Sequence, residues 1–162
     1  MTAPSQGVLV QCIGNPDRRD DGAGIAVADR LAGCLPDRAK LLRRSGDMLA
    51  LIDDWDDCAA LVCVDAIASL GSPGTIHRLD LSCESIPSDM MPMSSHAFGL
   101  GEAIALARSL GSAPGRIVIF GVEGTDFSDG VGLSPKVSQS IDPLATRVIG
   151  EVATLLEETA HA

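Results

Sequence analysis

Aromatic side chains are scarce in this 162-residue chain, which carries three Phe, one Trp and no Tyr. Platforms for stacking nucleobases are therefore poorly supplied. Bases are also few: 12 Lys and Arg stand against 22 Asp and Glu, a formal net charge of −10. A nucleic-acid backbone needs the opposite sign, so nucleic acid is excluded as a partner class. No apolar run is long enough to span a bilayer, and no charged segment followed by an apolar one opens the chain. No membrane partner is expected.

The cysteines Cys12, Cys34, Cys58, Cys63 and Cys83 are odd in number and widely spaced, with no C-x-x-C. That pattern argues against a disulfide framework or zinc knuckle and for a reducing, cytoplasmic setting. Cys12 and Cys63 lie in apolar runs, where a free thiol is simply a small apolar residue. Several catalytic designs are missing too. There is no G-x-S-x-G elbow and no Walker loop, and Gly22-Ala23-Gly24 lacks the third glycine of a dinucleotide fingerprint. A Cys–His protease would have only Cys83 to offer beside His96.

What is present is a core. Hydrophobic residues make up 46% of the chain, enough for one compact domain over residues 1–162 with its core from about 7 to 158. Gly7 to Ile13, Ala59 to Val64 and Arg116 to Val122 are nearly continuous apolar runs, as in strands buried on both faces. Ala39 to Leu42 is a weaker strand, and Thr75 to Leu79 alternates like an edge strand. Between them, helical spacing follows Ile25, Val27, Ala28 and Leu31, then Met48 to Ile52 with Asp47 in the first turn. It returns at Leu100, Ala103, Ile104, Ala107 and Leu110, and in a last helix interrupted or kinked near Pro143. Met1 to Gln6 reads as a frayed tail and Ser82 to Met93 as a long loop, with Ser94 or Ser95 capping the helix after it. The pattern predicts an α/β three-layer sandwich, a mainly parallel sheet of about five strands with helices on both faces.

The chemistry gathers after the strands. Gly14 to Gly24 reads G-N-P-D-R-R-D-D-G-A-G, a polar loop between a buried strand and a helix. Ligands of open α/β sheets bind just past the carboxyl ends of strands. Asp20 or Asp21, Asp65 and His96 thus offer two carboxylates and an imidazole, a set suited to a borderline divalent ion such as nickel or zinc. The same residues also have plainer uses. Asp20 or Asp21 can cap the next helix, Asp65 can form a turn, and His96 can be a first-turn residue. Arg18 and Arg19 suit a carboxylate or the carbonyls of a partner, or a solvated loop. Glu123 follows the last apolar strand in a polar loop. His77 and His161 attract no functional reading.

These segments together resemble the hydrogenase maturation endopeptidases, which trim a carboxy-terminal peptide from the large subunit of nickel–iron hydrogenases. The resemblance runs through Gly14 to Gly24, Val64-Asp65-Ala66 and Pro73-Gly74-Thr75. It continues through Ser94 to Leu100, Phe120 to Gly124 and Gly130 to Pro135. It implies a twisted sheet between helices and three metal-contacting residues, which by motif position are Asp21, Asp65 and His96. It also implies that nickel arrives with the large-subunit precursor rather than as a resident ion, with zinc or cadmium able to substitute. Arg18, Arg19 and Glu123 become candidate substrate contacts. No residue is singled out as nucleophile or general base. A non-catalytic, nickel-dependent escort of the large subunit is the alternative that shares these residues. One segment departs: many members carry D-G-G-T where this chain has Arg43-Arg44-Ser45-Gly46-Asp47, so that Asp is missing or displaced to Asp47.

Overall fold

The computed structural model describes residues 7–45, 47–81 and 100–161. At its centre is a five-stranded sheet in the order β2-β1-β3-β5-β4. The strands are β1 (Gly7–Ile13), β2 (Ala39–Arg44), β3 (Cys58–Ala68), β4 (Ile76–Asp80) and β5 (Arg116–Gly124). All neighbours are parallel except β4, which closes one edge antiparallel to β5. The helices are α1 (Ala23–Leu31), α2 (Met48–Asp53), α3 (Leu100–Leu110) and α4 (Pro135–Ala160).

Alternate strand residues point to opposite faces, and here both faces are apolar. Val8, Val10, Val62, Val64, Val118 and Phe120 meet Val27 and Leu31 of α1 and Leu144 and Val148 of α4. Leu9, Ile13, Leu61, Cys63, Ile117 and Ile119 meet Leu51 of α2, Trp55 just beyond it, and Ala103 and Ile104 of α3. This is the three-layer α/β sandwich expected from the sequence.

Three boundaries differ from expectation. β3 does not stop at Asp65, because Asp65 to Ala68 pair in register with Gly121 to Gly124. The same pairing carries β5 through Glu123 to Gly124. The last helix is one 26-residue element that continues across Pro143. Its buried face runs on through Leu144, Ala145 and Val148, and that packing outweighs the hydrogen bond that proline forfeits. Leu110, expected on the buried face of α3, is 67% exposed at the helix end. Met1 to Gln6, the loop from Ser82 to Met93, and Ser94 and Ser95 lie outside the described residues.

The strand order sets the place for a ligand. From β1 the chain moves outward to β2, then returns to lay β3 on the other side of β1. The reversal makes the carboxyl ends of β1 and β3 the switch point of the sheet, where open α/β folds form a crevice.

Candidate metal-recognition site

Two of the three expected ligands are carried to this crevice. After β1, the Gly14 N–H donates to the Arg44 carbonyl (2.9 Å) and Asn15 N–H to the Asp21 carbonyl (3.1 Å). The loop thereby folds back into a 3-10 turn over Arg19–Gly22 that contains Asp21. Gly24, three residues on, presses α1 onto the strand ends. A Cβ there would collide with the Ile13 carbonyl and come within 2.9 Å of the Val64 carbonyl. Asp65 is the residue after Val64. β1 pairs with β3 only as far as Cys12 and Val64, so from Asp65 onward β3 is paired on its β5 side alone and its β1 side borders the crevice. Asp21 and Asp65 are 1% and 5% exposed. Asp65 is therefore a strand residue rather than a turn-former, and its Oδ1 accepts the Ala66 N–H (2.8 Å). His96 lies outside the described residues. Among those described, no group of three His, Cys, Asp or Glu is gathered to hold a metal ion.

Asp20 does something the sequence did not suggest. It does not cap the helix that follows: the N-cap of α1 is Gly22, which has no side-chain cap. Its carboxylate instead crosses to the connection between β5 and α4. There it accepts the Ser134 N–H (2.7 Å), Ser134 Oγ (2.9 Å), Thr125 N–H (2.9 Å) and Asp126 N–H (3.1 Å). Burial pushes its pKa up, but the bonds from Ser134, Thr125 and Asp126 prevail and hold the carboxyl below its ordinary value. Ser134 occupies the N-cap position of α4, though its hydroxyl serves Asp20 rather than the helix.

Arg18 and Arg19 lean onto the same connection. Arg18 Nη2 donates to the Phe127 carbonyl (3.2 Å), and Arg19 Nε lies 3.6 Å from an Asp126 carboxylate oxygen. The Arg19 side chain stays 42% exposed. Glu123 is placed differently from expectation. It is a β5 residue, 2% exposed, and not part of a solvated loop. Oε1 accepts the N–H groups of Leu70 (2.7 Å) and Ser72 (3.2 Å), and Oε2 lies 2.7 Å from His77 Nε2. A carboxylate engaged in this way holds the 69–75 loop in place. His77, passed over in the sequence, is its partner. Nothing in one dimension links two residues 46 positions apart.

The departing segment has its own arrangement. Asp47 accepts the Leu49 N–H (3.0 Å) as the N-cap of α2. Arg44 forms a bidentate pair with Asp54 (2.6 and 2.7 Å), and Asp54 also accepts from Gln11 Nε2 (2.9 Å). Thiol chemistry is disfavoured at the buried Cys12 and Cys63 and the half-buried Cys58. Burial pushes Cys12 up to about 12, Cys58 to about 11, and Cys63 well above its ordinary value.

The sequence and the fold have known relatives. The profile of the family described as hydrogenase maturation protease (HycI) matches residues 46–151. Over 150 residues the chain is 30% identical to hydrogenase expression/formation protein HupD of Rhodobacter capsulatus, spanning 90% of this chain and 70% of that protein. It is 27% identical over 146 residues to hydrogenase 2 maturation protease of Escherichia coli strain K12, spanning 88% of each. The hydrogenase maturating endopeptidase HybD from E. coli shares the fold, with a TM-score of 0.73 at 24% identity over 91% of this chain and 93% of that one. The chain belongs to the hydrogenase maturation protease family, and its class is that of a peptidase.

Proposed function

We propose that this protein is an endopeptidase that removes the carboxy-terminal peptide of a nickel–iron hydrogenase large-subunit precursor after nickel insertion. The nickel belongs to the substrate, and the enzyme reads it. Asp21, Asp65 and His96 complete the coordination left open by the precursor's thiolates, and Arg18 and Arg19 contact the tail. Two carboxylates and an imidazole suit nickel as a borderline ion, with zinc or cadmium as substitutes. The ion then serves as template and Lewis acid at the scissile carbonyl or its attacking water. Affinity for free metal is modest, because a site that reads a delivered ion must not be permanently filled.

The observation that supports this reading is that Asp21 and Asp65, both buried, lie on two adjoining elements, the turn after β1 and the end of β3, at the switch point of the sheet. The test incubates purified protein with nickel-loaded and nickel-free precursor and follows the length of the precursor. Shortening of the loaded form alone, abolished by His96→Ala, is the expected outcome. Undiminished cleavage by His96→Ala overturns the ligand set. A stable complex with unshortened precursor identifies an escort instead.

A further inference from the structure

The residue just before Asp21 is buried as deeply, and its carboxylate is committed to a distant part of the chain. Asp20 has no exposed surface and accepts from two backbone N–H groups at Thr125 and Asp126 and from both the N–H and Oγ of Ser134. Thr125 N–H, Asp126 N–H and Ser134 Oγ converge on Oδ2, with Thr125 Oγ1 at 3.4 Å, and Ser134 N–H holds Oδ1, so both oxygens are engaged by the connection.

The main chain repeats the tie. Asp20 N–H donates to the Asp126 carbonyl (2.9 Å), Arg19 N–H to the Gly130 carbonyl (2.9 Å) and Gly130 N–H to the Asp17 carbonyl (2.8 Å). Between these bonds Arg19 is held at φ 48°, in the left-handed region. A non-glycine residue stays there only where its surroundings enforce it, and such enforcement clusters at functional sites. On the other side of the turn, Gly14 lies so close to the Asp21 carbonyl that a Cβ would collide with it. The backbone carrying Asp21 is thus gripped between the end of β1 and the β5–α4 connection.

We propose that Asp20 is a positioning residue for Asp21: by clamping the Arg19–Gly22 turn to residues 125–134, it aims the Asp21 carboxylate into the crevice between β1 and β3. A ligand carried on a loop is useful only if its backbone is fixed by a surrounding shell of hydrogen bonds. Asp20 supplies that shell from within the same turn. The inference rests on the reading of Asp21 as the residue that faces the metal.

The test compares Asp20→Asn, Ser134→Ala and Asp21→Asn on nickel-loaded precursor, with circular dichroism and the melting midpoint recorded for each. Asp20→Asn keeps the volume but turns an NH2 toward N–H donors. Its kcat should fall about a hundredfold with KM little changed, the scale of a 1 Å misplacement of a reacting group. Ser134→Ala removes one hydroxyl from the clamp and should lower kcat roughly tenfold, the worth of one hydrogen bond to a charged group. It decides the matter if Asp20→Asn does not fold. A lowered midpoint with wild-type kcat in the folded variants, while Asp21→Asn is inactive, makes Asp20 merely structural and overturns the proposal. Wild-type kcat in Asp21→Asn instead removes the reading of Asp21 on which it rests.

Discussion

His77 Nε2 lies 2.7 Å from Glu123 Oε2, joining the antiparallel edge strand to the carboxyl end of β5. The other carboxylate oxygen takes the N–H groups of Leu70 and Ser72, and the Glu123 backbone pairs with Gly74 and Thr75. One side chain thereby fixes an edge strand and the loop before it. Glu123 is in register with Ile67, two residues beyond Asp65 on β3, so this loop stands beside the crevice.

Removing that carboxylate should loosen the loop before anything else. Glu123→Ala leaves the N–H groups of Leu70 and Ser72, on an exposed loop, and the half-buried His77 imidazole without their acceptor, a cost of about 1–3 kcal/mol. Urea unfolding should show the loss as a shifted midpoint at unchanged slope. Limited proteolysis should cut the variant first within residues 69–75. His77→Ala keeps both backbone bonds and should cost less.

Acid should reveal the same group. Burial of the Glu123 carboxylate pushes its pKa up, but bonds from His77, Leu70 and Ser72 outweigh this and hold it below its ordinary value of 4.5. Asp54 is also held low, chiefly by the hydrogen bond from Arg44. A carboxyl whose pKa is lower folded than unfolded contributes stability that is fully present above the unfolded value. That stability is lost as pH falls through the folded value. Unfolding free energy should therefore decline on acidification below about pH 4.5, and Glu123→Gln should flatten part of that decline. An unchanged slope in Glu123→Gln would assign the decline to other carboxyls.

The legible parts of this fold were the local ones. β1 and β5 declare themselves because doubly covered strands need unbroken apolar runs, and Gly14 to Gly24 because a turn, a cluster of carboxylates and a helix start share eleven residues. What stayed hidden depends on pairing across the chain. The extension of β3 past Asp65 exists only because Gly121 to Gly124 lie beside it. The clamp on Asp20 comes from residues more than a hundred positions away, and Pro143 looked like a break until Leu144 and Val148 were seen to pack on the sheet.

The single tryptophan offers a probe of the opposite layer. Trp55 is 1% exposed and donates from Nε1 to Gln11 Oε1 (3.0 Å), while Gln11 Nε2 reaches Asp54 and the Leu51 carbonyl. Gln11→Leu is near in volume but leaves the indole N–H buried without an acceptor, at a cost of about 1–3 kcal/mol. Unfolding followed by the fluorescence of Trp55 should report that loss directly. Gln11→Glu keeps an acceptor for the indole but faces Asp54 with a like charge, so its penalty should shrink in acid.

Two glycine-to-alanine substitutions should have opposite signs. Gly150 sits within α4 with no heavy atom within 4 Å of an added Cβ, so Gly150→Ala should gain the helix propensity of about 1 kcal/mol. Gly24 is also helical, and its Cβ would meet the Ile13 and Val64 carbonyls, backbone atoms that cannot swing aside. Gly24→Ala should therefore lose about 1–3 kcal/mol to overpacking. The displacement would fall at the junction of α1 with β1 and β3, so Asp21 and Asp65 would move apart together with the helix. Melting midpoints of the two variants test the stability claim. Precursor processing by folded Gly24→Ala tests whether the site depends on this contact: wild-type activity there would mean that the start of α1 can lift without disturbing the two aspartates.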